Sequence, residues 1–416
     1  MFGRTRLLAT AESPPEGNND IRNRAWFMMT GLATGHAVFH WVLQSTVVVL
    51  PEIQSTFGLS GIGVGVVLTV REIVSGAVVL PGGVVVDAVR RHWGVFLAAC
   101  IGGFCVGALL MGFSPVFLLL LIGMAMVAIS HSLWHLPASA SLSAHFPKHR
   151  GTALSFHGVG GSVGDVAGPI VTGALLAWIS WRGILTIYGA LPLFLAFMAL
   201  WSFKNIGGTG EPSNLRDRIA GTKRLLRFRS LWGITLVRGL RSMSLVALVT
   251  ILPLYLANDL GLSTQSRGIH IGLLIAIGIV AKPVAAQLSD RLGRKRVLVP
   301  GLAWSCLITL SLIVADQGVA LTVAIVLLGL FLYPDQPITT AATLEMVDRN
   351  VASTALGLTS SASFLLSSFS PLIAGALYES IGIDAVLYYV GSLFAAATII
   401  VAILPLRTRE ANDDGA

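Results

Sequence analysis

The sequence predicts an all-α polytopic membrane protein: twelve transmembrane helices in two pseudo-symmetric six-helix bundles. Three observations carry that prediction. Of the 416 residues 54% are hydrophobic and 12% charged, where a soluble globular chain carries about 25% charge. Apolar runs of about 20 residues, enough to cross a hydrocarbon core of about 30 Å, recur along the chain. Short basic turns separate them, and two of these turns are alike: Gly82 to Gly94, which contains Asp87, and Ala286 to Arg296, which contains Asp290. Alternation at period two is absent, which argues against an outer-membrane barrel.

In chain order, residues 1–25 read as a polar cytoplasmic tail with Pro14, Pro15 and Gly17 and without the apolar core of a signal peptide. Six spans follow near residues 26–50, 61–81, 94–113, 115–141, 151–177 and 184–203, together a bundle over 26–203. Residues 204–230, rich in Gly, Lys and Arg, form a cytoplasmic linker. The second bundle, 231–405, has spans near 231–256, 268–289, 297–315, 319–343, 351–377 and 383–405, and 406–416 is a second cytoplasmic tail.

Charge placement gives the orientation. Of the 28 Lys and Arg, only Arg182 and Arg267 fall in loops of the opposite face, while Arg71, Arg238, Arg241 and Lys282 lie within spans. Basic residues mark the cytoplasmic side, so both termini and the linker are placed inside a cell membrane, read as a bacterial inner membrane. The net charge of +8 sits in these same loops, so no nucleic-acid partner is expected. Cys100, Cys105 and Cys306 all lie in apolar runs and read as small buried side chains. A Walker-type phosphate loop is absent, which disfavours an ATP-driven pump. No cofactor is expected, and the chain is read as a monomer.

The repeat extends beyond the two turns. Gly151-Thr152-Ala153-Leu154 aligns with Ser353-Thr354-Ala355-Leu356, Pro169 with Pro371, and Gly173 with Gly375, all at an offset of 202 residues, which also relates Pro51 to Pro253. Duplicated halves of this kind place substrate near the bilayer midplane, between the repeats.

The turn after the eighth span, with Asp290, Arg291, Gly293, Arg294 and Lys295, resembles the loop motif of the major facilitator superfamily, with Ala286 in place of its first Gly. The turn after the second span keeps Gly83, Asp87 and Arg91 of that motif but has Ala88 and Arg90 where the family has Arg and Gly. The resemblance implies alternating-access transport. It also implies that Gly83, Asp87, Arg91, Asp290, Arg291, Gly293 and Arg294 act as a conformational latch, although the basic residues would equally serve topology alone. Arg71 to Ala77 and His135-Leu136-Pro137-Ala138-Ser139 resemble segments of the fosmidomycin-resistance branch. The run Gly158 to Gly173 resembles the antiporter motif of drug exporters, with one extra residue after Gly168-Pro169. Its Gly164, Gly168 and Gly173 permit close helix packing, and Pro169 permits a kink.

Ionisable groups inside a bilayer are costly and usually mark function. Arg71, Arg238 and Arg241, with His36 and His40, are the expected substrate-binding residues, because guanidinium forks suit carboxylates, phosphates and phosphonates. The alternative is that acids such as Glu72 or Asp165 neutralise each arginine. Glu72, Asp165 and Asp335 are the candidate proton carriers, Glu72 foremost for its mid-depth position. Arg71 and Glu72 are adjacent and point about 100° apart, so their partners are expected from other helices. His131 and His135 have a metal-compatible spacing, but with no third ligand evident no metal site is expected. Lys282 is read as structural. The expected function is proton-coupled efflux of a small anionic or phosphonate-like compound, as in a drug-resistance antiporter. The alternatives are import of an organic or inorganic anion and, from another class, a non-transporting sensor or scaffold. No enzymatic activity is expected.

Overall fold

The computed structural model describes residues 20–147, 149–204, 206–207, 225, 227–347 and 352–406. Most of both predicted tails and most of the predicted linker therefore fall outside the described residues. Fifteen α-helices are described. They are α1 (Ala25–Val48), α2 (Leu50–Phe57), α3 (Gly61–Ala88), α4 (Trp93–Gly112), α5 (Phe117–His145), α6 (Arg150–Leu175) and α7 (Trp181–Ser202). After the linker come α8 (Arg229–Leu254), α9 (Thr264–Leu292), α10 (Arg294–Ser311), α11 (Gly318–Leu332), α12 (Asp335–Glu345), α13 (Ala352–Ser367), α14 (Ser370–Ser380) and α15 (Ile383–Ile403).

Nine helical segments among the described residues are long and apolar enough to cross a membrane, and α1 with α2 makes a tenth if that bent pair is one span. The two long helices left over are α6 and α10. Helix α6 is diluted by glycine and carries His157 and Asp165, and α10 spends its first turn on Arg294-Lys295-Arg296. The outer surface has the character lipid requires: Trp178, Leu191, Phe194, Val314, Val319 and Ile403 are each more than 60% exposed, far more bare apolar surface than a water-soluble monomer tolerates.

Prolines set the breaks. A proline removes the N–H that would bond four residues back, and Pro51, near the start of α2, accompanies the 53° bend between α1 and α2. Its repeat mate Pro253 lies inside the last turn of α8, which passes into a π-helical turn at Tyr255–Asp259. Pro371 opens α14 after the break behind α13, whereas Pro169 stays inside α6. At one face, serines start three helices: Ser60, Ser180 and Ser263 accept from the backbone N–H three residues on, each at 3.2 Å. Such a cap is worth about 1 kcal/mol.

The buried apolar residues fall into two large clusters. One is built almost wholly from residues between Met28 and Ile206, the other from residues between Leu225 and Leu406. A small third cluster, Val47, Val48, Val249, Ile271 and Ile275, joins them. Helix neighbours repeat across the halves: α4 packs on α5 and α7, and α10 on α11 and α15. Between the halves α3 packs on α13 and α14, and α6 on α9.

Those seams close tightly at one face. A Cβ on Gly61 would lie 2.5 Å from the Gly375 carbonyl oxygen, one on Gly65 2.4 Å from that of Pro371, and one on Gly268 2.4 Å from that of Pro169. Only glycine allows backbones so near. Polar ties cross at the same face: Arg267 with Glu52, Asn258 Nδ2 to Gln54 Oε1 at 3.0 Å, and Gly61 N–H to Glu379 Oε2 at 3.1 Å.

Candidate functional site

Away from that closed face the halves enclose a cavity of about 320 Å³. Helices α1, α3, α5 and α6 supply one wall, with His40, Gln44, Arg71, Glu72, His131 and Asp165. The other wall comes from α8, α9, α12 and α13 and the Tyr333 turn, with Arg238, Arg241, Lys282, Tyr333, Gln336 and Ser360. The lining thus carries four basic side chains and two carboxylates.

On the first wall the charges satisfy one another. Arg71 folds back along its own helix and donates to Glu72 Oε1 from Nε at 3.0 Å and Nη2 at 2.9 Å. The expectation that this neighbouring pair would look to other helices therefore fails for Arg71, whose chain is long enough to bend across the 100° offset. Glu72, only 3% exposed, does reach another helix: its Oε2 accepts from Ser367 of α13 at 2.8 Å, across the inter-half seam. Asp165 Oδ1 accepts from His40 Nδ1 at 2.8 Å and from Gln44 Nε2 at 3.1 Å.

The second wall is less evenly balanced. Arg241 Nε lies 2.6 Å from Asp335 Oδ2, though the N–H is not aligned on that oxygen, and its Nη2 donates to the Leu332 carbonyl. Asp335 is 1% exposed and sits behind Arg241, away from the lining. Arg238 reaches only hydroxyls, Thr340 Oγ1 at 3.5 Å and Ser360 Oγ at 3.3 Å. Lys282 extends over the Tyr333 ring, 5.8 Å from its centroid. Among the described residues neither Arg238 nor Lys282 forms an ion pair. Lys282, read from sequence as structural, is part of the wall, as is His131, weighed from sequence only as a metal ligand; Gln44, Tyr333 and Gln336 are lining residues the sequence did not single out.

His36 is not on the lining. It lies behind His40, stacked on His157 at 4.1 Å between ring centroids, with Nδ1 2.8 Å from the His157 carbonyl oxygen. The expectation that His131 and His135 lack a third nitrogen donor also gives way: α1 brings His36 and His40 against them, and ligand nitrogens of His36, His40 and His135 all lie within 4.8 Å of one another.

The glycines of α6 make the α1–α6 contact. A Cβ on Gly164 would lie 2.2 Å from the Ala37 carbonyl oxygen and one on Gly168 2.5 Å from that of Trp41, while Gly173 faces Gly268 across the halves. The two basic turns differ. After α9, Gly293 takes φ of 96°, a conformation open to glycine, and lets Arg294 turn back to Asp290 and to Glu345 of α12 at 2.8 Å. Arg291 is exposed beside them. After α3, a Cβ on Gly83 would meet nothing within 4 Å, and Arg91 is exposed. The Asp87 side chain lies outside the described residues.

A helical bundle in the membrane, with a charged cavity enclosed by two groups of helices, defines the class of a secondary transporter. The Major Facilitator Superfamily model matches residues 32–285 and again 234–415, and the chain belongs to that superfamily, a family of transporters and not of enzymes. A probable L-galactonate transporter of Escherichia coli is 24% identical over 56% of this chain and 56% of its own length. A probable nitrate/nitrite transporter of Mycobacterium tuberculosis is 24% identical over 62% of this chain and 64% of its own. The chain thus spans less than two thirds of either relative. The fold is similar to the crystal structure of a bacterial homologue of the human lysosomal transporter Spinster in an inward-facing, unoccupied conformation, with a TM-score of 0.72 and 15% identity over 93% of this chain and 96% of that one.

Proposed function

We propose that the chain is a twelve-span transporter of two six-helix halves that moves a small organic or inorganic anion, coupled to protons. The observation that carries the anion is the second wall: Arg238 and Lys282 face the cavity without a carboxylate partner among the described residues, and Arg241 is held beside them by Asp335. A desolvated positive charge is expensive, and an anionic substrate repays it when bound. Arg238 is the central contact, since an arginine fork held only by long hydroxyl contacts is free to grip a carboxylate, nitrate or phosphonate in two places. The names of the galactonate and nitrate relatives are compatible with this chemistry.

Glu72 is the proposed proton carrier. Among the described residues it alone joins an arginine of the lining to a residue of the other half, so protonating it would free Arg71 and weaken the bond to Ser367 together. Asp165, which accepts from His40 and Gln44, is the second candidate carrier. The face closed by Gly61–Gly375 and Glu52–Arg267 is the outer one if the basic loops lie in the cytoplasm, and the conformation is then inward-facing. The basic turn at Asp290 to Arg294 would latch the inner ends when the cycle reverses. Export is the proposed direction, following the likeness of Arg71 to Ala77 to the fosmidomycin-resistance branch.

Counterflow in proteoliposomes tests the reading: trapped nitrate, a hexonate or a phosphonate should drive uptake of its labelled form, and Arg238→Ala should abolish it while the protein still purifies as a single species. Counterflow unchanged by Arg238→Ala would overturn the assignment.

A further inference from the structure

Five of the nine histidines of the chain meet at one place in the first wall. Helix α1 contributes His36 and His40, α5 contributes His131 and His135, and α6 contributes His157. Each of the first two pairs is separated by four residues, which puts both rings on one helix face. Nothing in the anion reading uses the group as a whole.

The hydrogen bonds around the cluster decide which nitrogens face inward. A carbonyl oxygen only accepts, so His36 Nδ1, 2.8 Å from the His157 carbonyl, carries the proton. A neutral imidazole bears one proton, which leaves His36 Nε2 as a bare acceptor. His36 is 8% exposed and its Nε2 is buried with no hydrogen-bond partner. His40 Nδ1 is committed in the same way to Asp165 Oδ1 at 2.8 Å, so its Nε2 also turns inward as a lone pair. That nitrogen lies 3.5 Å from His131 Nε2, which lies 3.0 Å from His135 Nε2. A single proton on His131 Nε2 can serve only one of these contacts. Lone pairs brought this close repel unless a cation lies among them.

We propose that the cluster is a binding site for a divalent transition-metal ion of the zinc class. His40, His131 and His135 ligate it through Nε2, and His36 is the fourth donor. Nitrogens around a tetrahedral zinc, with Zn–N of about 2.0–2.1 Å, stand about 3.3 Å apart. The 3.0 and 3.5 Å separations of His131 from His135 and His40 bracket that value, and ligand nitrogens of His36, His40 and His135 lie within 4.8 Å of one another. An all-imidazole set suits zinc, cobalt and nickel and gives magnesium or calcium no oxygen ligands. Asp165 behind His40 makes the carboxylate–histidine arrangement that orients a ligand and raises its basicity. His40 and His131 line the cavity, so the ion enters from there. Once bound it ties α1 to α5 and holds the first wall as one body, whichever anion the cavity carries.

Zinc titration of the untagged full-length protein in detergent, after treatment with a chelator, tests the site, with Co²⁺ as a spectroscopic probe. One equivalent of Zn²⁺ should bind and raise the unfolding temperature, and Co²⁺ should give the visible absorption of a tetrahedral nitrogen site. His135→Gln should weaken binding at least about 10-fold, and Asp165→Asn by about 10- to 100-fold. His270→Gln, bonded elsewhere to Thr322, should leave binding unchanged. If His135→Gln fails to fold, His131→Gln gives the same reading. Absence of a zinc equivalent in the wild-type protein, or binding that the folded cluster variant and Asp165→Asn both leave intact, overturns the proposal. Because the readout is metal occupancy, it fails or succeeds separately from anion counterflow.

Discussion

The two walls of the cavity are built on repeated helices yet balance their charges differently. His36 on α1 and Arg238 on α8 occupy equivalent positions in the repeat, and they behave differently. The α1 side pairs its charges, His40 with Asp165 and Arg71 with Glu72, and Glu72 also accepts from Ser367 across the seam. The α8 side is cationic, and among the described residues Arg238 and Lys282 form no ion pair. Under the proposed function, one wall would handle protons and the other would hold the anion, on helices that occupy equivalent places in the sequence repeat.

The same contrast orders the ways to break it. The largest loss should come from separating Arg241 and Asp335, because removing one partner of a buried pair leaves the other charge stranded, at a cost of about 3–5 kcal/mol. Arg241→Ala should accordingly lower the unfolding temperature in detergent more than any other cavity substitution, and Arg241→Met with Asp335→Leu should recover most of it. Equal stability of the single and double variants would show that the pair is not the reason.

Next in size is the closed face. Gly375→Val would drive a side chain into the Gly61 carbonyl, and overpacking of this kind costs about 1–3 kcal/mol. A cysteine placed at Gln54 should then react with a membrane-impermeant thiol reagent several times faster than in the parent, and no change in labelling would argue that the seam does not gate. Glu52→Gln should act in the same direction but by less, about 1 kcal/mol, because Glu52 is a quarter exposed and water screens its pair with Arg267. The smallest effect belongs to Asp290→Asn. Asp290 is 60% exposed, so unfolding should shift by less than about 1 kcal/mol, and any change should appear in turnover instead.

Much of this organisation was legible before any coordinates. Apolar runs and basic loops follow from what a bilayer demands of a chain, so the segments could be located by composition. The arginines of the lining could be placed within spans because each falls inside an apolar run. The positions that sequence misjudged share a cause: each depends on which helices become neighbours. Lys282 was read as structural because the Tyr333 ring it extends over comes from another helix. His131 and His135 looked incomplete because their companions are about 90 residues away on α1. Arg71 erred in the opposite sense, since a long side chain can reach back to the residue beside it. The 53° break before Leu50 was also hidden, because Pro51 and its mate Pro253 are locally alike and only packing makes one bend and the other absorb the defect in a π turn.

The division of labour between the walls is tested most directly in proteoliposomes holding a pH indicator, where addition of a transported anion should move protons. Glu72→Gln should abolish anion-dependent proton movement while leaving anion counterflow in place, and Arg238→Ala should abolish both. Proton movement that survives Glu72→Gln, or counterflow that survives Arg238→Ala, would contradict the account.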